Sequence, residues 1–203
     1  YSKYFADLDT ETGKSTNAVR DVVSSKPMNK AYKSMAVGHV RNDGKIYITM
    51  ATSKEIDFFL FDGKNFNPAG SLGEKMRSIQ HVETADLNGN VIDEIFVTTV
   101  LEDRAVISSI YEFNGTKFVK ISDNIPYILR TVYVKGEKKI VSQRIGDDGS
   151  YLGNIMEFSY IDGRYTRSQA VASGKEAGIY GFGFADLDGD GRNETLGINE
   201  DYQ

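Results

Sequence analysis

The stretch Phe113-Asn114-Gly115-Thr116-Lys117-Phe118 decides the fold, because an Asn-Gly pair joins two apolar segments there. Both residues of the pair tolerate a positive φ, so an Asn-Gly or Asp-Gly pair between apolar segments predicts a tight β-hairpin. The same arrangement recurs at 61–66 and at 161–165. Gly63 and Gly115 are 52 residues apart, and Gly115 and Gly163 are 48 apart. A hairpin turn at a nearly constant period indicates a repeated structural unit.

Each repeat divides into four short segments with the composition of antiparallel strands. The first repeat predicts strands at 34–40, 45–51, 56–61 and 65–70. The second predicts them at 79–85, 94–100, 106–113 and 117–121, and the third at 127–134, 138–144, 154–160 and 164–170. The fourth has only 179–185 and 194–199. Four antiparallel strands at this period are typical of a propeller blade, so the sequence predicts an all-β fold, a partial β-propeller.

The expected organisation is an N-terminal extension at 1–33 followed by a partial propeller at 34–203. Its blades fall at about 34–78, 79–125, 126–177 and 178–203, which makes about three four-stranded blades and the first half of a fourth. A β-sandwich or unrelated hairpins would not need a constant spacing, and a degenerate blade is the alternative for 1–33. Because blades bury their faces against neighbours, we expect the rest of the propeller to come from the same or another chain.

Composition excludes several classes of protein. The 203 residues are 40% hydrophobic and contain no Cys, which excludes disulfides and thiolate catalysis. The formal charge is −5 and the basic residues are scattered, which argues against a nucleic-acid partner. No apolar run is long enough for a membrane span.

A second repeated unit is rich in aspartate. Its stronger copy contains Asp186, Asp188, Asp190 and Glu194 between two predicted strands, with Gly191 at the turn. Carboxylates that converge in a tight loop repel one another unless a cation lies between them. Calcium takes about 6–8 oxygen ligands, and this loop offers most of them, with Arg192 contributing through its carbonyl. The sequence predicts a Ca²⁺ site, with an acidic surface turn as the alternative. Mg²⁺ is less suited, and an EF-hand is rejected because Gly197 stands where its final glutamate is required.

The weaker copy lies 100 residues earlier and forms a doubtful second site. Two of its carboxylates are replaced by amides, and Val91 stands at the position of Gly191, in the set Asp86, Asn88, Asn90 and Glu94. In the first repeat, His39 and Arg41 occupy the ligand positions, and in the third the pattern is lost. We expect those two loops to hold no metal.

The two aspartate loops resemble the FG-GAP/VCBS repeat of integrin-like β-propellers, of the bacterial type. The resemblance covers roughly 25–203 and includes the segments 25–28 and 124–127 before the first and third blades. It implies calcium bound by Asp186, Asp188, Asp190 and Glu194, with ligands of the protein bound elsewhere on the propeller faces. It also implies an extracytoplasmic location and a role in adhesion or scaffolding.

The functional expectation is a non-enzymatic, calcium-stabilised module that binds a protein or a surface polysaccharide in the periplasm, at the cell surface or outside the cell. The alternative is a propeller segment of a secreted carbohydrate-active or other hydrolytic enzyme, in which an acidic pair from separate blades acts over the channel. No nucleophile motif surrounds any serine, and His39 and His81 are expected to be structural partners.

Overall fold

The computed structural model describes residues 27–73, 76, 78–102, 105–134, 137–146, 148–172, 179–190 and 194–199. Most of the predicted N-terminal extension, 1–26, lies outside the described residues. Within these ranges every regular element is a β-strand. The described part of the chain contains no helix that is long and apolar enough to cross a membrane.

Fourteen strands follow one another in the described part of the chain. The first sheet contains β1 (Ser34–Gly38), β2 (Tyr47–Ala51), β3 (Ile56–Phe61) and β4 (Phe66–Ser71). The second contains β5 (Ile79–Ala85), β6 (Glu94–Val100), β7 (Val106–Phe113) and β8 (Phe118–Ile125). The third contains β9 (Ile128–Val134), β10 (Glu137–Ile145), β11 (Tyr151–Ile161) and β12 (Arg164–Ala172), and the last β13 (Ile179–Ala185) and β14 (Glu194–Asn199).

Each sheet is an antiparallel meander in which neighbours in sequence are neighbours in space. Among the residues that the structure describes, three sheets have four strands and the last has two, as the repeat predicts. The first strands of successive sheets, β1, β5, β9 and β13, contact one another in that order. The predicted all-β fold is confirmed: the sheets are consistent with a partial β-propeller whose ring is not closed, and we call them blades 1 to 4. The largest difference lies in β8, which continues to Ile125 instead of ending at 121.

The hydrophobic cores lie between the blades. One cluster joins blades 1 and 2 and includes Phe58, Ile95 and Tyr111. A second joins blades 2 and 3, and a third joins blade 3 to Phe182 and Phe184 of blade 4. Burial of apolar surface between successive sheets is therefore the main source of stability for the array.

The segment that precedes β1 packs onto the side of blade 1. Lys30 Nζ and Tyr32 Oη both donate to the Asp57 carboxylate at 2.7 Å, and Asp57 is 9% exposed. The Tyr32 ring meets Phe59 edge to face, with centroids 6.0 Å apart. Burial and the hydrogen bond to Asp57 raise the pKa of Tyr32 to about 12. The end of the predicted extension thus covers β3.

Candidate functional site

The loop between β13 and β14 brings three of the predicted calcium ligands together. Carboxylate oxygens of Asp186, Asp188 and Glu194 all lie within 4.8 Å of one another. Asp186 and Asp188 are exposed, and Glu194 is half-buried. These are hard oxygen donors, the ligand type that calcium prefers, so the donor set fits a calcium ion.

Backbone hydrogen bonds shape this loop. Asp186 Oδ1 accepts from Gly189 N at 2.7 Å, and Asp188 Oδ1 accepts from Asp190 N at 3.1 Å. Glu194 reaches back across the loop from the start of β14, and its Oε2 accepts from Leu187 N at 2.7 Å. Gly189 has a φ of 80°, which a residue without Cβ adopts at little cost. These bonds hold the carboxylates of Asp186, Asp188 and Glu194 close together.

The other two predicted ligands of this loop are Asp190 and the Arg192 carbonyl. The Asp190 carboxylate is not a member of the group formed by Asp186, Asp188 and Glu194. Arg192, whose carbonyl is a predicted ligand, lies outside the described residues, as does Gly191.

The corresponding loop between β5 and β6 satisfies its polar side chains internally. Asp86 accepts hydrogen bonds from the backbone N–H groups of residues 89, 90 and 91 at 2.8, 3.1 and 2.9 Å. Asn88 Oδ1 accepts from Asn90 N, and Asn90 Oδ1 accepts from Ile92 N. Asn88 points its amide nitrogen at Glu112, with Nδ2 2.6 Å from Oε2. Asx-type bonds therefore stabilise the conformation of this loop.

Glu94, the last predicted ligand of the second loop, is completely buried. Its carboxylate accepts from Leu87 N at 2.8 Å, from Asn88 N at 3.2 Å and from the Tyr165 hydroxyl at 2.6 Å. Burial raises the pKa of Glu94, although these hydrogen bonds oppose that effect. The pKa of Tyr165 is also raised, first by burial and then by Glu94. Because Tyr165 belongs to β12, Glu94 joins blade 2 to blade 3.

Val91 is strained in this loop. Its φ is 67°, a region that β-branched residues rarely adopt, and its side chain is 81% exposed. We expect Val91→Gly to raise the free energy of unfolding by about 1 kcal/mol, because it removes the clash between Cβ and the backbone. Urea denaturation measures the change. Val91→Ala is the matched control, and a change of at most about 0.5 kcal/mol is expected there since a Cβ remains. A destabilised glycine variant would contradict this reading.

Arg41 lies in the loop of blade 1 that is predicted to hold no metal, and its guanidinium cation is surrounded by aromatic rings. Its guanidinium carbon lies 5.3–5.9 Å from four ring centroids, those of Tyr47, Phe58, Phe113 and Phe118. One guanidinium nitrogen, Nη2, donates to the carbonyl of Ala69 at 3.1 Å. Among the described residues, the buried Nε has no hydrogen-bond partner. The negative ring faces solvate the charge instead.

Two pairs of consecutive blades make the same kind of contact. The loop that follows the first strand of one blade contacts the hairpin between the third and fourth strands of the next blade. Arg41 of blade 1 lies against Phe113 and Phe118, the aromatic pair that flanks the turn of blade 2. Asn88 and Glu94 of blade 2 lie against Tyr165, which is paired with Tyr160 beside the turn of blade 3. The sequence repeat predicts both the loops and the hairpins, but not their contact across blades.

An open groove lies at this place between blades 2 and 3. Its volume is about 460 Å³. Its lining is mostly polar and includes Asn88, Glu112, Ser122, Tyr160, Arg164 and Tyr165. The sequence expectations do not include this groove; the change from the phenylalanine pairs of blades 1 and 2 to a tyrosine pair in blade 3 is the signal that could have identified it.

The inner strands carry a chain of polar contacts that joins three blades. His81 Nδ1 lies 3.1 Å from Ser34 Oγ, and His81 Nε2 lies 2.7 Å from Glu83 Oε1. Thr131 Oγ1 donates to the other Glu83 oxygen at 2.6 Å. Although burial favours the neutral acid, the hydrogen bonds from His81 and Thr131 lower the pKa of Glu83. The Ser34 hydroxyl also accepts from Val82 N at 3.0 Å, so this serine links β1 to β5.

His39 lies just beyond β1, and its Nδ1 is 3.2 Å from the carbonyl of Lys45. Its backbone is bonded to Asp93 in both directions: the His39 N–H donates to the carboxylate, and its carbonyl accepts from the Asp93 N–H. Asp93 therefore connects blade 2 to blade 1.

Comparison with known proteins adds little to this description. No family model matches the chain, and no curated protein matches it. A solved structure of a protein from Lactobacillus plantarum covers 83% of this chain at 10% identity, with a TM-score of 0.32. The chain spans 65% of the length of that protein's chain. The assignment of the fold therefore rests on the repeated four-stranded sheets themselves.

Proposed function

We propose that this chain is a non-enzymatic, calcium-stabilised propeller module of the FG-GAP/VCBS type. It would bind a protein or a surface polysaccharide outside the cytoplasm. The observation that supports the calcium site is the convergence of Asp186, Asp188 and Glu194 within 4.8 Å. Calcium is abundant outside cells, where modules of this kind need only weak affinity. That relation supports an extracytoplasmic location.

One ion per chain is proposed, held by the loop between β13 and β14. Asp186, Asp188 and Glu194 supply the charge, with Asp190 and the Arg192 carbonyl as further candidates. The loop between β5 and β6 has fewer carboxylates, and both Asp86 and Glu94 already accept three hydrogen bonds there. These hydrogen bonds leave fewer carboxylate lone pairs for an ion in that loop. The ion's role is structural: it offsets the repulsion of the carboxylates and fixes the connection between two strands.

Calcium is expected to raise the Tm of the chain. At a calcium concentration about 100-fold above Kd, the expected rise is roughly 5–11 °C for a chain of this size. Scanning calorimetry with calcium and with a chelator measures it. Asp188→Ala should remove most of the shift because it deletes one converging carboxylate.

His39→Ala is the control for this experiment, since His39 lies in the loop of blade 1 and is exposed. The variant should retain the full calcium-dependent shift. Identical melting curves with calcium and with chelator in the unmodified chain would refute the calcium site.

A hydrolytic enzyme is the second candidate function. The observation that favours it is the connected hydroxyl, imidazole and carboxylate of Ser34, His81 and Glu83. A serine beside a histidine that contacts a carboxylate is the arrangement used in nucleophilic hydrolysis. Cleavage of an activated ester by the chain and its loss in Ser34→Ala would favour this candidate. Equal, background-level rates in both proteins would favour the binding module.

A further inference from the structure

We infer that the groove between blades 2 and 3 binds a neutral oligosaccharide. This inference deepens the proposed function, on which it rests, because it assigns the binding of a surface polymer to one place on the chain. The groove has a volume of about 460 Å³, within the range of roughly 300–1,000 Å³ that is typical of small-molecule sites.

The groove offers unused hydrogen-bonding groups. Glu112 accepts from Asn88 through Oε2, while its Oε1 accepts no hydrogen bond within the described part of the chain. Among the same residues, the side chain of Arg164 forms no hydrogen bond or ion pair. Together these groups offer both an acceptor and several donors to a ligand. A sugar, whose hydroxyl groups donate and accept at once, matches such a mixed lining.

The charge of the lining is balanced, with one carboxylate from Glu112 and one guanidinium from Arg164. An anionic polymer would meet the carboxylate, and a cationic one would meet the guanidinium. A neutral, polyhydroxylated ligand avoids both penalties. Charge thus favours an uncharged oligosaccharide over an acidic polysaccharide or a basic peptide.

Aromatic surface completes the site. Tyr160 is 38% exposed. The centroids of the Tyr160 and Tyr165 rings are 4.8 Å apart, and the planes of the two rings meet at 51°. Gly163, which also lines the groove, has no side chain to cover Tyr160. An exposed ring presents a face of negative potential, against which the C–H groups of a sugar ring can pack. The Tyr165 ring is held in place by the 2.6 Å hydrogen bond from its hydroxyl to Glu94, so the site is preorganised.

The matching place between blades 1 and 2 shows that an open groove is not a requirement of the fold. Leu60 and Ala69 precede Glu112 and Ile121 by the same 52 residues that separate Gly63 from Gly115. At that earlier position, Arg41 fills the space between Ala69 and the rings of Phe113 and Phe118. Leu60 and Ala69 pack there against the hydrophobic core. The chain therefore closes one inter-blade space with apolar groups and leaves the next open and polar.

The test is a titration of the full chain with a panel of neutral oligosaccharides built from glucose, mannose, galactose or N-acetylglucosamine. Saturation-transfer NMR detects binding, and calorimetry measures affinity. At least one neutral member should bind, and Tyr160→Ala should weaken it by about tenfold or more. Arg164→Ala removes an exposed side chain, so it should fold normally and also weaken binding.

Tyr133→Ala is the matched control, because Tyr133 is a 62% exposed tyrosine on β9 that does not line the groove. Its affinity should equal that of the unmodified chain. The inference is overturned if no neutral member binds, if only polygalacturonate or a basic peptide binds, or if Tyr160→Ala and Arg164→Ala both bind as the unmodified chain does.

The failures of the two proposals are distinguishable. If the calcium-dependent rise in Tm is present and a sugar binds equally well to the groove variants, the assignment of sugar binding to the groove is refuted. The proposed function as a calcium-stabilised binding module then remains. If calcium does not change the Tm but sugar binding depends on Tyr160, the proposed calcium site is refuted. The assignment of sugar binding to the groove then remains.

Discussion

Replacing Arg41 by methionine is expected to lower the free energy of unfolding by about 3 kcal/mol. The guanidinium lies among four aromatic rings and donates to the Ala69 carbonyl. Methionine keeps much of the side-chain length but loses the charge, the hydrogen bond and the planar contact. Urea denaturation followed by fluorescence measures the loss.

Arg41→Lys separates charge from shape. Lysine retains a cation but cannot stack as a planar group, so we expect roughly half of the methionine effect. Arg164→Ala is the matched control, since it removes an exposed arginine from the same protein and should change stability by at most about 0.5 kcal/mol. Equal free energies of unfolding for the Arg41 variants and the control would show that the contact between Arg41 and the four aromatic rings does not stabilise the fold.

Glu94→Ala is expected to cost roughly 3 kcal/mol, with calcium or without it. The side chain is completely buried, and its removal leaves the Leu87 and Asn88 N–H groups and the Tyr165 hydroxyl without their acceptor. Urea denaturation with calcium and with a chelator measures the size of this loss and shows whether it depends on calcium.

Glu194→Ala is the repeat-matched control for Glu94. Both glutamates begin the second strand of a blade and accept from the backbone N–H of residue 87 or 187. Because Glu194 is only half-buried, we expect its replacement to matter mainly when calcium is present. A calcium-dependent cost at Glu94, or a calcium-independent cost of the same size at Glu194, would contradict the different roles assigned to the two loops.

The strands are predictable because the hairpin turns fix them locally. Asn114-Gly115 and its counterparts set where strands end, and the predicted bounds of β5, β6 and β7 agree with the structure. β8 is longer than predicted: its polar residues 122–124 break the alternation expected of a strand, yet Ser122 and Ile125 still pair with Ile110 and Ser108 of β7 across a register shift. Local sequence contains the turn, whereas the pairing partner determines how far a strand continues.

Contacts between blades are not predictable from the repeat alone. The sequence shows that Arg41 stands at a ligand position, but not that aromatic rings of the next blade surround it. Similarly, the pairing of Glu94 with Tyr165 joins residues 71 positions apart, which no periodicity specifies. The Asp186 loop is closer to the opposite case, since its local spacing predicts that Asp186, Asp188 and Glu194 converge, although the same spacing also predicts Asp190, which is not in the group.

The most direct test of the account is a calorimetric titration of calcium into the chelator-treated chain. Asp188→Ala and Asp86→Asn are measured beside it; the latter keeps a side-chain oxygen for the turn at the second loop. We expect one calcium ion to bind per chain, with binding lost in Asp188→Ala and retained in Asp86→Asn. An isotherm without binding, or one that Asp188→Ala leaves unchanged, would contradict it.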